Sequence, residues 1–368
     1  MDPTRIEAGA TPVAHLPPRL ETRSGGGVGV AIVNYNTTAC TLRCLESLRR
    51  LTQAPDWILV LDNGPRDPSL REAIDAFAPY ERSDLRLFHS EVNLGFAAGC
   101  NLLIGHLLAE PGCASVILLN NDAVAMPDLV ERLADALDAD PAAGMAGGRV
   151  HRLDDPDRID TLGISIYASL MPADRYDLAD PYLGPSGGCA IIARACLDDL
   201  RRSAGYWFDP RFFCYCEDTD LVLRANRLGY RPRYVDAVVA LHEGQASSGR
   251  GYNRFIAYHG IRNSVWMIAK SVPAPLLLKY GALLLLAHLM TIARHLLSGS
   301  PRLLIDAYGD AFRRLPEMIG ERGRLRLGAR IGARVLDSRI APRFYRRGYL
   351  GLVGRQLLAR YRLERQGL

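Results

Sequence analysis

The sequence has almost no lysine and none of the short motifs that mark the most familiar nucleotide sites. Lys270 and Lys279 are the only lysines among 45 basic residues, a bias that we attribute to the coding sequence rather than to function. Neither GxGxxG nor GxxxxGK(S/T) occurs, so a Rossmann dinucleotide site and a P-loop are both unsupported. The eight cysteines include no CxxC pair, which predicts reduced thiols in a cytosolic protein.

No cationic segment followed by an apolar core opens the chain, so we expect no signal peptide. Residues 1–26 are rich in proline, glycine and charge and lack periodicity, which predicts a disordered leader. A hydrophobic content of 48% and a charged content of 23% are typical of a globular protein with a proper core. The 368 residues leave room for a large domain and an appendage.

Short apolar runs alternate with amphipathic segments through the first third of the chain. The runs occupy residues 28–33, 57–61, 85–88 and 116–119. Each run predicts a buried strand and each intervening segment predicts a helix, such as one from Thr37 or Thr38 to Leu51. This alternation specifies an α/β fold with a mostly parallel sheet covered on both faces. Further on, we expect a strand over residues 144–150 and an irregular polar connection over residues 154–182.

Polar residues directly follow several of these runs. They are Asn34 and Asn36 after the first run, Asp62 after the second, and Asn121 and Asp122 after the fourth, with Asn93 and Asn101 in the segment between the third and fourth. The carboxyl ends of parallel strands converge on one edge of the sheet, so this distribution predicts a nucleotide cleft. A solvated loop would explain any one cluster, but three together favour the cleft.

Asp122 is the first candidate metal ligand, since a carboxylate suits Mg²⁺ or Mn²⁺ carrying a diphosphate. The alternative is that residues 120–122 form only a turn before a helix that Pro127 starts. His242, which ends the apolar run 238–241, is a candidate second ligand, although a lone histidine is more often structural.

Glu217 and Asp218 begin a predicted helix that ends near Gly229. Carboxylates in a first turn are also ordinary helix capping. The aromatic residues before them, Tyr215 among them, could desolvate and aim a carboxylate, as a general base requires.

Two further features are candidates for the acceptor side of a cleft. Gly187 and Gly188 would let a ligand approach the backbone closely, although a bulge or tight turn explains glycine equally well. Arg254, Tyr258 and Arg262 share one face of a predicted basic helix, which could hold a diphosphate or an acidic acceptor. The alternative is a solvated basic face.

After residue 270 the composition changes. Residues 276–297 approach the length of a membrane span, but Lys279, His288 and Arg294 argue against a clean one. From Arg313 onward there are 15 arginines and four acidic residues, which favours an anionic membrane surface as the partner. The alternative is a helical appendage that mediates homo-oligomerisation. We expect no nucleic-acid partner, since no recognised module accompanies the charge.

In order and spacing, these motifs resemble the family 2 glycosyltransferases with a GT-A fold, particularly the bacterial rhamnosyltransferase-like branch. The resemblance runs from about residue 28 to residue 270. It rests on Val33-Asn34-Tyr35-Asn36, Asp62-Asn63-Gly64, Asn93-Leu94-Gly95-Phe96, Leu119-Asn120-Asn121-Asp122, Gly187-Gly188 and residues 212–221. It implies a Rossmann-like sheet over residues 27–270 and a helical, basic tail over residues 271–368.

The resemblance also implies roles for individual residues. Asp62 would contact the nucleotide base, and Asn93 would line the same pocket. Asn121 and Asp122 stand at the DxD-type motif, with Asp122 the metal ligand, and His242 resembles a second ligand. Asp218 looks like the catalytic base. Asn120 replaces the first acid of the motif, so weak or partly water-mediated metal binding would follow.

The implied activity is inverting transfer of a sugar from a nucleotide-diphosphate sugar to a hydroxyl of a cell-envelope, polysaccharide or lipid-linked acceptor. It would occur in the cytoplasm, peripherally at the inner face of the cell membrane. A polyprenyl-phosphate sugar synthase is an alternative, although it needs no base as elaborate as Glu217 and Asp218. A non-catalytic sugar-nucleotide or membrane-binding module is another, and the joint presence of Asp122, Asp218 and His242 argues against it.

Overall fold

A computed structural model describes residues 26–65, 68–76, 83–244 and 253–348. The predicted leader, apart from Gly26, and the end of the basic tail from residue 349 lie outside these ranges. So do residues 245–252, which precede the basic helix.

The strands and helices of the described residues follow the predicted alternation. The strands are β1 (Gly27–Asn34), β2 (Trp57–Asn63), β3 (Asp84–Ser90), β4 (Cys113–Leu119), β5 (Ala123–Ala125), β6 (Ala143–Arg152), β7 (Ile159–Thr161), β8 (Ile164–Tyr167), β9 (Pro172–Asp174), β10 (Cys189–Ala193), β11 (Arg231–His242) and β12 (Ile340–Ala341). The helices are α1 (Thr38–Arg49), α2 (Pro68–Ala76), α3 (Gly95–Ala109), α4 (Leu129–Asp138), α5 (Arg194–Ala204), α6 (Glu217–Arg227), α7 (Arg254–Ser271), α8 (Ala274–Leu297), α9 (Pro301–Arg313), α10 (Leu315–Leu327) and α11 (Ala333–Asp337).

The large sheet has the order β3-β2-β1-β4-β10-β6-β11-β5, with β7 paired to β6. Strands β1 to β4 pair in parallel, as do β6 and β11, whereas β10, β5 and β7 run antiparallel to their neighbours. The prediction of a mostly parallel sheet in an α/β fold is confirmed. Because β1 lies between β2 and β4, the polar ends of all three strands meet at one edge, where Asn34 pairs with Asp62.

Apolar cores cover both faces of this sheet. In β1, Val30 and Ile32 face a core that includes Leu45 and Leu48 of α1, whereas Ala31 faces the core that contains α3. All five side chains are buried. Full burial of one such large side chain contributes about 1.5–3 kcal/mol, so these layers fix the strands whose ends carry the polar residues.

The prediction of an irregular connection over residues 154–182 is wrong. This segment forms β7, β8 and β9, and β8 pairs with β9 and with the C-terminal strand β12. Ile164, Ile166 and Tyr167 of β8 are buried. The strands are only three or four residues long, so their alternation was too brief to recognise among the surrounding aspartates and prolines.

The C-terminal helices pack against the sheet-bearing part of the chain. The indole of Trp266 in α7 donates to Ala311 O of α9 at 3.0 Å, and Arg322 of α10 donates to Ala269 O of α7 at 2.6 Å. Within the described ranges, α8 is the one helix long and apolar enough to cross a membrane, and its best 18-residue window has a mean hydropathy of 1.8. Only 11% of that window is buried, so α8 lies mostly on the surface.

Candidate active site at the carboxyl edge of the sheet

Asn34 and Asn121 join the ends of β1 and β4 through a buried amide network. Asn121 Nδ2 lies 3.2 Å from Asn34 Oδ1, 2.6 Å from Thr37 Oγ1 and 2.9 Å from Thr41 Oγ1. Asn34 Nδ2 in turn donates to Asp62 Oδ1 at 3.3 Å. This network favours a role for both asparagines in fixing the strand ends, and it includes Asp62, whose Oδ2 lies 3.4 Å from His89 Nδ1.

A second amide network fixes the start of α3. Asn63 accepts from Leu94 N at 2.9 Å and donates to Asn93 Oδ1 at 3.2 Å, and Asn93 Oδ1 also accepts from Gly95 N at 2.8 Å. Asn93 therefore lies beside the end of β2, as a nucleotide-pocket role requires. Asn63 belongs to the motif Asp62-Asn63-Gly64. No sequence pattern indicated that Asn63, rather than Asp62, would contact Asn93 and Leu94.

Asp122 and His242 come together as predicted. β11 pairs with β5, so His242 lies opposite Ala123, and its Nε2 is 3.0 Å from Asp122 Oδ1. On the other side of the ring, Nδ1 is 2.8 Å from Asp160 Oδ2 in β7. Burial opposes the protonated imidazole, but the two flanking carboxylates raise the pKa of His242 to about 10. Asp160 was missed because it lies in the stretch interpreted as irregular.

The residues present fit a weakly held divalent cation. A carboxylate oxygen and an imidazole nitrogen face each other, and Asp160 is placed to orient the imidazole in the way carboxylates orient metal-bound histidines. Among the described residues, no three His, Cys, Asp or Glu side chains form a closed metal cluster. Two protein ligands suit Mg²⁺ or Mn²⁺, which are commonly completed by water and substrate phosphates.

Gly187 and Gly188 bring the two sides of the cleft together. Gly187 N donates to Asp218 Oδ2 at 3.1 Å, and Gly188 O accepts from Asn120 N at 2.8 Å. A Cβ at Gly187 would lie 3.2 Å from Asp218 Cβ, and one at Gly188 would lie 3.0 Å from Asn120 Nδ2. The glycines are therefore needed for close approach, here to protein groups on both sides.

Glu217 and Asp218 start α6 as predicted, but their environments differ. Asp218 is partly buried and accepts from Gly187 N and, at 2.6 Å, from Thr219 N. Burial raises its pKa, and these hydrogen bonds limit the shift. Glu217 is buried, and its Oε2 has no hydrogen-bond partner among the residues that the structure describes. Burial and the neighbouring Asp218 raise the pKa of Glu217 well above its usual value. Asp218 is thus held in place and partly accessible, whereas Glu217 is buried.

The aromatic loop before α6 is conformationally strained and tightly held. Phe213, Tyr215 and Cys216 have φ values of 67°, 68° and 65°. For residues other than glycine, such a conformation costs about 1–2 kcal/mol each. Asn263 of α7 offsets this cost, since its buried Nδ2 lies 2.7–2.9 Å from the carbonyl oxygens of residues 212, 214 and 215. Gly95 allows the loop to approach α3, because a Cβ there would lie 2.5 Å from the Phe213 ring.

A buried ionic cluster fixes α6 to α7. Lys270, one of the two lysines of the sequence, lies 2.6 Å from Asp209 Oδ2 and 2.9 Å from Asp220 Oδ2, and all three side chains are fully buried. Asp220 also accepts from Arg224 at 2.9 Å. Burial opposes ionisation, but the two cations hold the pKa of Asp220 below its usual value. Asp220 therefore has a structural role in this ionic cluster, and Asp218 and Glu217 remain the candidate bases.

Two predicted site residues have other partners, and a third is exposed. The amide of Asn101 exchanges hydrogen bonds with Phe208 N and O at 2.8 and 2.7 Å, which favours a structural role. Arg262 donates to Phe212 O at 3.0 Å and lies 4.4 Å from the Trp266 ring centroid, so it braces the aromatic loop from behind. Asn36 is exposed with a φ of 54°.

The face of α7 predicted to be basic is partly solvated and partly packed against α9. Arg254 is exposed and pairs with Asp306 at 2.5 Å, and Tyr258 bonds with Asp310. Both partners belong to α9.

Comparison with known proteins agrees with this geometry. The family described as Glycosyl transferase family 2 matches residues 29–201. The chain is 28% identical over 259 residues to N-acetylglucosaminyl-diphospho-decaprenol L-rhamnosyltransferase of Mycobacterium tuberculosis, covering 62% of this chain and 80% of the relative. The chain is therefore similar to the rhamnosyltransferase-like family 2 glycosyltransferases.

Solved structures show that the chain has the GT-A fold. A mannosyltransferase from Pyrobaculum calidifontis in complex with GDP-Man and Mn²⁺ is 18% identical, with a TM-score of 0.50, and the alignment covers 85% of this chain and 88% of that one. S. aureus TarS 1-349 in complex with UDP-GlcNAc is 16% identical, with a TM-score of 0.53 and coverage of 80% and 83%. Both of these structures contain a sugar nucleotide.

Proposed function

We propose that this glycosyltransferase moves a hexose or deoxyhexose, with inversion, from a nucleotide-diphosphate sugar to a hydroxyl of a lipid-linked or cell-envelope saccharide. The mycobacterial relative is named for rhamnose transfer to a diphospho-decaprenol-linked N-acetylglucosamine. A hydroxyl acceptor needs a base, and Asp218 is available for that role. The polyprenyl-phosphate alternative uses an acceptor that is already ionised and would leave this carboxylate without a task.

One observation carries the proposal. The dipeptide Gly187-Gly188 holds Asp218 through one backbone group and Asn120 through the other. The candidate base and the candidate metal ligand Asp122 thus lie on either side of a single turn. An acceptor hydroxyl beside Asp218 would then face a donor whose diphosphate lies beside Asp122.

The chain's own residues account for the remaining steps. Asp62 and Asn93 bind the nucleotide at the ends of β1 to β3, and Asp122 and His242 would hold Mg²⁺ or Mn²⁺, which neutralises a diphosphate leaving group when bound. Asp218 accepts the acceptor proton on a carboxylate oxygen as the hydroxyl attacks the anomeric carbon. Gly187 N–H and Thr219 N–H keep that carboxylate aimed at the cleft. Direct displacement inverts the anomeric centre and needs no enzyme nucleophile.

We also propose that the reaction takes place in the cytoplasm at the inner face of the membrane, with residues 27–270 as the catalytic domain and residues 271–368 as a membrane-associating tail. A lipid-linked acceptor is confined to a bilayer, so the enzyme has to meet it there. The basic composition of the tail supports this assignment.

Asp218→Asn tests the assignment of the base. The variant should keep donor affinity and lower the single-turnover rate by about 10²-fold or more, the scale of lost general-base catalysis. Since only the ionised carboxylate accepts a proton, the wild-type rate should rise with pH through the elevated pKa of Asp218, and the variant should lose that acid limb.

Glu217→Gln is the matched control and should affect turnover less. If Asp218→Asn keeps a normal turnover rate while Glu217→Gln loses turnover, the base is Glu217. If both variants lose donor binding, the cluster builds the nucleotide site and the proposed mechanism fails.

A further inference from the structure

Helix α8 presents an apolar face to the outside of the protein. The exposed large apolar side chains of the helix are six leucines whose spacing places them on one side of it, namely Leu278, Leu285, Leu286, Leu289, Leu296 and Leu297. We call these six residues the leucine stripe. Leu278 is 87% exposed and Leu297 is 66% exposed. A helix on a water-soluble surface normally shows the opposite pattern, with its polar residues outward.

The polar side chains of α8 point mostly toward the protein. Tyr280 donates to Asp337 at 2.9 Å, His288 lies 2.9 Å from the Tyr308 hydroxyl, and His295 is buried. Lys279 is the exposed exception, and it too is paired with Asp337 at 2.6 Å. In α8 the large apolar side chains therefore face outward and most polar side chains face the protein, the reverse of a helix on a water-exposed surface. An exposed apolar face of this extent marks an interaction surface.

The neighbouring helix α9 also exposes large apolar side chains. Ile305 and Phe312 are 71% and 58% exposed. They are seven residues apart, or two helical turns, so they lie on the same side of α9. The exposed apolar groups thus belong to a layer of packed helices rather than to one frayed segment.

Charge distinguishes between the possible occupants of this surface. Residues 1–273 contain 27 Arg and Lys and 34 Asp and Glu, a formal charge of −7, whereas residues 274–368 contain 18 and 6, a formal charge of +12. Exposed arginines of this region include Arg302 and Arg314. A second copy docked on the same face would bring two strongly positive regions together, whereas an anionic lipid surface attracts both.

We propose that α8 lies flat on an anionic bilayer, with the leucine stripe at the boundary between headgroups and acyl chains and with exposed arginines of the same C-terminal region, such as Arg302 and Arg314, at the lipid phosphates. A 24-residue helix is about 36 Å long, so the stripe would provide an extended line of insertion. A membrane-spanning arrangement would separate Tyr280 and His288 from their partners in hydrocarbon, where they could not be replaced. This proposal rests on the proposed membrane association and names the surface that makes the contact. The observations that support it are the exposed leucines and the positive charge of this region.

The test measures co-sedimentation of the full chain with phosphatidylglycerol-containing vesicles and with vesicles of phosphatidylcholine alone. The wild type should bind the anionic vesicles more strongly, and added salt should weaken this binding. Leu285→Glu combined with Leu289→Glu should weaken it by about tenfold or more, because two inserting side chains become charged. Leu178→Glu is the matched control, since Leu178 is also an exposed leucine, and it should bind as the wild type does.

A second variant separates charge from insertion. Arg302→Glu combined with Arg314→Glu leaves the leucine stripe intact and should abolish the preference for anionic vesicles. Transfer to a water-soluble acceptor should stay normal in both double variants, so failure of membrane docking and failure of the transferase assignment are distinguishable.

Three results would overturn the proposal. The first is equal vesicle binding by the leucine variant and the wild type. The second is absence of vesicle binding together with a dimer that the leucine substitutions dissociate, which would assign the face to a second copy. The third is salt-insensitive retention that only detergent releases, which would indicate a membrane span.

Discussion

The two sides of the cleft are built by different physical means. On the donor side, Asp62 and Asp122 follow ordinary parallel strands, and the side-chain amides of Asn34 and Asn121 join the strand ends. On the base side, Asp218 follows a loop with three left-handed residues that hydrogen bonds from α7 hold in place. The donor side is a direct product of sheet topology, whereas the base side depends on a neighbouring helix far along the chain.

Substitutions on the two sides should therefore have different effects. A substitution on the donor side should change ligand affinity without disturbing the fold, because the sheet remains. A substitution in the support of the base side should lower the rate while donor affinity is retained. The following predictions test this separation.

The largest effect should come from Asp122→Ala. If Asp122 holds the cation beside the diphosphate, turnover should fall by about 10³-fold or more, equivalent to several kcal/mol of transition-state stabilisation. Metal-dependent stabilisation by a nucleoside diphosphate should disappear in a thermal-shift measurement. Full activity of this variant in the presence of a chelator would refute the metal assignment.

Asn263→Ala should give the next largest effect, on the other side of the cleft. Loss of the contacts to three carbonyl oxygens lets the strained loop relax and displaces Asp218, which should lower kcat by about 10–100-fold. Donor Kd should stay within a factor of about two.

Asn253→Ala is the control for Asn263→Ala, since Asn253 caps the same helix by accepting from Phe255 N at 2.8 Å. It should cost about 1 kcal/mol of stability and leave kcat intact. A loss of donor affinity in Asn263→Ala that equals the loss in kcat would show that the two sides are not separable.

Asp160→Asn should have a smaller effect, confined to the donor side. The amide still fills the space beside His242 but orients its ring less firmly, so Mn²⁺ affinity measured by calorimetry should fall about tenfold. Asp236→Asn removes an exposed carboxylate from a surface pair and should leave metal affinity unchanged. Equal Mn²⁺ affinity in the wild type and Asp160→Asn would show that the contact is incidental.

The smallest effect should be a pH-dependent change in stability from Glu217→Gln. Because the pKa of Glu217 is raised in the folded protein, its contribution to stability is fully present below its ordinary pKa and is lost as pH rises through the folded value. Glutamine cannot ionise, so the Tm of the variant should gain on the wild type as pH rises above the ordinary pKa of glutamate toward the raised pKa of Glu217. Glu46→Gln, at an exposed site on α1, should show no such trend, and identical trends in both variants would contradict the assignment.

Periodicity predicted most of the fold, because the first four strands are long, apolar and separated by amphipathic helices. It failed over residues 154–182, where strands of three or four residues gain their burial from β12 and β6 rather than from their own pattern. It also gave no sign that Lys270 is buried between Asp209 and Asp220. Local sequence does not reveal a charge pair that closes across 50 or more residues.

The sequence alone predicts that Asp62, Asn93 and Asp122 lie at one edge of a parallel sheet, because strand ends of that topology converge. It also determined the composition of α8 and the basic charge around it. Tertiary structure alone decided which groups meet there, namely Asp160 with His242 and Asn263 with the aromatic loop. It also decided that the leucines of α8 face outward, since the direction a helix face takes depends on what packs behind it.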